Sequence, residues 1–168
     1  ENTLAGTKTN TPITEIPNSV YVITKQQIVD QQPQSIQDAL KYTAGVYAGV
    51  LGTSSNGSRQ SNAIMQRGFS NTQFVDGLLT TTQSSGEPSL LERIEAFNGP
   101  ASGWYGKLTP GGMIAGTLKK PTGSPLHEAT LGFGNWGRYE ATFDISDKIT
   151  NSGSVRYRIA AIGVTQGT

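Results

Sequence analysis

Two carboxylates and a guanidinium stand within one short stretch, Glu92-Arg93-Ile94-Glu95, the kind of grouping that general acid–base chemistry or a buried ion pair would use. The stretch reads as a helical turn passing into a strand, so the separation of the two acids is not fixed by their spacing. No further catalytic partner stands in the chain, and a structural or interface role is expected for Glu92, Arg93 and Glu95. Arg67, read on a strand beside Gly68, would be costly to bury alone. It calls for an acid, either Glu92 or Glu95 or a residue outside this chain. Arg59, Gln60 and Gln83 lie in stretches crowded with Gly, Ser, Thr and Asn, 49–62 and 80–86, which read as long exposed loops. Such groups could hold a hydrophilic ligand by charge and hydrogen bonds, and Tyr47 is the aromatic residue best placed to stack on one. Phe69, Trp104 and Tyr105, beside glycines in a small domain, read instead as packing.

Other patterns exclude chemistry. Gly132-Phe133-Gly134-Asn135-Trp136-Gly137 spells a dinucleotide fingerprint, but strand alternation from Tyr139 follows it where a phosphate-binding helix would have to open. A kinase nucleotide loop is excluded too, since no catalytic-loop motif follows. There is no cysteine and a single histidine, His127, so thiol chemistry and a multi-histidine metal centre are excluded, and no cofactor is expected. A formal charge of +1, from 13 basic and 12 acidic residues spread without runs, gives no footprint for nucleic acid. No apolar run approaches the ~20 residues of a membrane-spanning helix, and the chain opens without the basic and apolar regions of a signal peptide. Asn56-Gly57-Ser58 spells a glycosylation sequon and is given no weight.

The elements that must position these residues fall into two kinds. Residues 1–16 read as an extended segment. Val20–Ile23 reads as a short buried strand, and Thr24 with Gln27 has capping-box spacing for a helix over Lys25–Gln31, ended by Pro33. Ser35 can cap a second helix that turns Ile36, Ala39 and Leu40 inward, with Gly45 at its left-handed end. Asp76-Gly77 between Phe74-Val75 and Leu78-Leu79 is the strongest hairpin signal. Ala101–Tyr105 suits another short helix. After Pro125 the period becomes two: Leu131 and Phe133, then Tyr139, Ala141, Phe143 and Ile145, then Val155, Tyr157, Ile159 and Ala161 alternate with small or polar neighbours. That is the pattern of strands with a lipid-facing and a lumen-facing side, too few to close a barrel. The expected organisation is an extended segment at 1–16, an α+β domain with a small mixed sheet and short helices at 17–122, and the first antiparallel strands of a transmembrane β-barrel at 123–168.

Four segments, in order, resemble the plug of TonB-dependent outer-membrane receptors of the ferric siderophore type. They are Pro17-Asn18-Ser19-Val20-Tyr21-Val22-Ile23-Thr24; Asp38 through Val46; Arg67-Gly68-Phe69 with Asp76-Gly77; and Glu92-Arg93-Ile94-Glu95 through Thr122. The last is the most specific, carrying Gly99-Pro100-Ala101-Ser102, Tyr105-Gly106, Pro110-Gly111-Gly112 and Lys119-Lys120-Pro121-Thr122. Two departures stand out: Asn98 replaces the family's arginine before Gly-Pro, and Ala115-Gly116-Thr117-Leu118 replaces an apolar run.

The resemblance covers about residues 11–168 and implies a plug inside a barrel of ~22 strands in the bacterial outer membrane. It implies a gate rather than an enzyme: apical loops bind ferric siderophore, and force from TonB, with ExbB and ExbD, acts through an N-terminal segment upstream of Glu1. Tyr47, Arg59, Gln60 and Gln83 are then the ligand contacts. Arg67 alone is carried over from the family's pattern, latching the plug to barrel glutamates, with a weaker latch for want of a cation at 98; Glu92, Arg93 and Glu95 are expected beside it at the plug–barrel interface on the reading of the residues themselves. Outer-membrane lipid surrounds the strands, and iron arrives only as substrate. Cobalamin or a glycan fragment through the same gate, or a non-transporting binding or signalling remnant, are the alternatives.

Overall fold

The computed structural model describes residues 2–3, 9, 11–48, 64–80, 87–135, 137–150 and 152–166. The chain forms two compact units, Glu1–Leu118 and Lys119–Thr168.

The first unit opens with β1 (Asn2–Thr3) paired antiparallel to β2 (Thr11–Pro12), followed by a 3-10 turn at Ile13–Glu15. The segment expected to be merely extended is therefore tied down, and Thr3 is fully buried. β3 (Ser19–Thr24) runs into α1 (Lys25–Gln31) through the expected capping box. Thr24 Oγ1 accepts from Gln27 N, and Gln27 Oε1 accepts from Thr24 N at 3.0 Å. α2 (Ile36–Leu40) is capped by Ser35 and buries Ile36, Ala39 and Leu40, and Gly45 beyond it has φ +77°.

A three-stranded sheet follows, β4 (Val46–Tyr47), β5 (Met65–Gln66) and β6 (Phe69–Ser70). β7 (Thr72–Val75) and β8 (Leu78–Thr80) make the hairpin signalled by Asp76-Gly77, whose φ values of +47° and +80° suit a type I′ turn. A 3-10 turn at Pro88–Leu90 leads to β9 (Leu91–Asn98), then α3 (Ser102–Tyr105) and β10 (Gly112–Leu118). The helical turn expected to open the stretch Leu90–Phe97 ends at Leu90, and the strand claims the rest. The principal sheet has the order β3-β9-β10-β7-β8, with β7 and β10 parallel and the other pairs antiparallel.

β9 is the centre of this unit, and its register explains the two cores. Leu118 faces Leu91 but Thr117 faces Arg93, so Glu92 is the extra residue of a bulge. Leu91, Ile94 and Ala96 therefore share one face and pack with Ile23, Ile28, Leu40 and Ile114. Phe97 faces the opposite side with Phe74, Ala101 and Met113. Gly116, in the departure from the family's apolar run, leaves the strand intact: a Cβ there would lie 3.3 Å from both methyls of Leu91. The motif Pro110-Gly111-Gly112 has an equally direct cause. A Cβ on Gly111 would sit 2.2 Å from the Gln66 carbonyl oxygen, and one on Gly112 2.1 Å from that of Phe97, so only glycine lets these backbones approach.

The second unit is an antiparallel meander, β11 (Leu126–Gly134), β12 (Arg138–Lys148) and β13 (Arg156–Thr165). The cross-strand partners Ala129–Phe143, Phe133–Tyr139, Ile145–Ile159 and Phe143–Ala161 put the apolar residues on one face. Arg138, Glu140, Asp144, Ser146 and Arg158 occupy the other. Phe133, at 80% exposure, and Leu131, at 70%, show how fully the apolar face is uncovered. An uncovered apolar face opposite a polar one is the expected surface of a barrel wall in lipid.

Candidate functional site: the loop face and buried polar groups of the plug

Tyr47 ends β4 with its ring exposed. It is positioned because β4 pairs with β5, Tyr47 standing opposite Met65. Arg59, Gln60 and Gln83 lie outside the described residues.

Arg67 is not on a strand. It sits with Gly68 at the tip of the β5–β6 hairpin, φ +49° and +85°, a type I′ turn that Gly68 favours and that Arg67 enters at some cost. Its amide donates to Gly45 O at 2.9 Å, so the turn is fastened to the end of the α2 segment. The side chain is exposed, and a Cβ on Gly99 would lie 3.8 Å from Arg67 Nη1. Among the described residues Arg67 makes no ion pair.

Glu95 does not serve Arg67. It is 1% exposed on β9, between Val22 of β3 and Ala115 of β10, and its Oε1 lies 3.5 Å from Arg93 Nε. Arg93 also donates from Nη1 to Asn2 O at 3.1 Å, which ties β1 to the sheet. Tyr105, from α3, packs tilted against Phe74 with ring centroids 5.1 Å apart. Burial, and then the negative charge of Glu95, push its phenol up from the ordinary tyrosine value. Glu92, at the bulge, is half-buried and lines a groove of about 320 Å³ with Asn2, Thr24, Lys25 and Arg93. The structure thus brings Arg93 and Glu95 together, sets Glu92 beside them and leaves Arg67 on the hairpin tip.

Two residues escaped the sequence reading as site candidates. Gln66, fully buried, offers Nε2 to Asn98 Oδ1 at 3.2 Å and to the carbonyls of Phe97 and Met113 at 3.3 Å. Asn98, 4% exposed, donates Nδ2 to Ala44 O at 3.1 Å. Where a cation was expected to be missed, an amide joins the end of β9 to the α2 segment and to the β5–β6 hairpin. Gln66 follows Ile64 and Met65 and precedes Arg67-Gly68, so nothing in its local pattern marked it as buried. Among the described residues no cluster of histidines and acids could hold a metal ion.

This arrangement is suited to holding and releasing: a bulged central strand to which buried Gln66 bonds fasten the β5–β6 hairpin and an Arg93 bond fastens the N-terminal strand. Residues 12–113 match the family model for the TonB-dependent receptor plug domain. The chain is 34% identical over 166 residues to the ferrichrome outer membrane transporter/phage receptor of Escherichia coli K12, covering 94% of this chain and 22% of that protein. It is 36% identical over 167 residues to the ferrioxamine B receptor of Salmonella typhimurium, covering 94% and 23%. The solved closed form of the ferric-catecholate import receptor Fiu from E. coli K12 superposes with a TM-score of 0.88 at 26% identity, over 99% of this chain and 23% of that one. The chain spans under a quarter of the length of these relatives, and it belongs to the TonB-dependent receptor plug domain family.

Proposed function

We propose that this chain is the gating plug, with the first barrel strands, of an outer-membrane receptor that imports ferric siderophores. The observation that carries the reading is the pairing, in one chain, of a plug fold with a meander whose one face is apolar and uncovered and whose other is polar. Relatives named as ferrichrome and ferrioxamine B receptors support the class of cargo. Tyr47 and the loop residues Arg59, Gln60 and Gln83 contact the chelator, and the iron comes as part of that substrate. Ligand binding and a pull from TonB, energised by ExbB and ExbD, rearrange the plug to open a path, so the work done is gating rather than bond chemistry.

The test is uptake of radioactive iron by iron-starved cells carrying the full-length gene, offered on hydroxamate, catecholate and carboxylate siderophores, with TonB present or deleted. Uptake on one chelator that requires both genes is expected. Equal iron entry with and without the gene across the panel would contradict the reading and favour another solute, such as cobalamin or a glycan.

A further inference from the structure

The residues that join the two units are held by a set of bonds that the gating account does not use. Lys119, Lys120, Pro121 and Thr122 connect β10 to the meander, and the described contacts of this segment run to the polar face of β12 and β13. Lys119 Nζ lies 2.8 Å from Asp144 Oδ2. Arg158 grips the same carboxylate in a fork, Nε to Oδ1 and Nη2 to Oδ2, both at 2.8 Å. Its remaining nitrogen, Nη1, donates to the Lys120 carbonyl at 2.8 Å. Thr122 N donates to Ser146 Oγ at 3.0 Å, and that hydroxyl donates onward to Tyr157 O at 2.8 Å. Asp144 and Ser146 are buried, and the register places Ser146 opposite Arg158, so the whole set is one rigid patch of the hairpin.

One residue earlier the chain is tied differently. Leu118 N donates to Asp76 Oδ1 at 3.1 Å, at the tip of the β7–β8 hairpin within the plug. On the plug side Leu118 ends β10, paired with Leu91 beyond the Glu92 bulge and bonded to Asp76, all by ordinary hydrogen bonds. On the barrel side the chain meets a charge-assisted network on a buried carboxylate, and because bidentate ion-paired hydrogen bonds are about twice as strong as ordinary ones the strand end gives way under load before the network does.

We propose that Lys119–Thr122 is an anchor: it fastens the end of the plug sequence to the first barrel hairpin, so that rearrangement of the plug during import stops at Leu118 and the plug can return to its seat. The inference rests on the import reading. It assigns Asp144, Arg158 and Ser146 a role as positioning residues that act on the connecting segment, not on the ligand.

The test uses the full-length receptor in cells supplied with the siderophore that it imports, and reads entry of a glycopeptide antibiotic too large for the intact outer membrane. Arg158→Lys keeps the charge but loses the fork and the bond to Lys120. It is expected to raise sensitivity about tenfold with TonB and to leave it unchanged without TonB. Ser146→Ala, a milder change that removes the Thr122 tie together with the hydroxyl's bond to the Tyr157 carbonyl, is expected to give about a threefold rise with the same dependence, and it carries the test if the arginine variant fails to insert. Leak that is equal with and without TonB would reduce these residues to general support of the barrel and overturn the anchor. So would wild-type resistance in variants that still import. A wild-type receptor with no TonB-dependent uptake would fail at the earlier step, contradicting the import reading itself and the anchor with it.

Discussion

A buried carboxylate and a half-buried phenol give the plug its sharpest residue-scale signature. Tyr105 has its phenol held above the ordinary value of 10.0 by burial and by the Glu95 charge, so folding favours the neutral ring. A group whose folded value is raised contributes stability that is present below its unfolded value and lost as pH rises through the folded one. Denaturant unfolding of the full-length receptor between about pH 9 and 12 should therefore lose stability more steeply in wild type than in Tyr105→Phe. Parallel curves would contradict the assignment. At this scale the sequence was partly readable. Glu92, Arg93 and Glu95 were singled out as a charged group with a structural or interface role, and in the plug Arg93 and Glu95 lie against each other. Arg67 was read on a strand beside Gly68, following Ile64 and Met65. The turn needs positive φ at both central positions, and a non-glycine at the first gives no warning of that.

Elements were more legible than their registers. The capping box at Thr24, the inward face of α2 and the Asp76-Gly77 hairpin each rest on local rules, and each appears where those rules put it. The bulge at Glu92 was invisible because one extra residue in a strand changes which side chains share a face without changing composition. Nor could the sequence say why Gly116 interrupts an apolar run, since the reason is Leu91, distant in the chain and closed upon it only by pairing. Gly116→Val should therefore force the Leu91 methyls aside at a cost of about 1–3 kcal/mol. Hydrogen exchange of the β9 and β10 amides in the full-length receptor should quicken accordingly, whereas unchanged protection would show that the site is roomier than the 3.3 Å approach implies.

At the scale of the whole molecule, the change of period after Pro125 marked the barrel strands without any reference to the plug, because alternation reports which solvent each face meets. The plug could be recognised through its motifs, and the pairs of glycines in them have a physical reading in backbone contact. The proposed ligand contacts Arg59, Gln60 and Gln83 come from composition and from the resemblance. The central claim is that residues 1–118 close the barrel that the rest of the protein forms. Conductance of the full-length receptor in planar bilayers, compared with the same receptor lacking those residues, tests it most directly. The account predicts that the intact receptor is nearly silent and that the shortened one forms a large, steadily open pore. Equal conductance from both would contradict it.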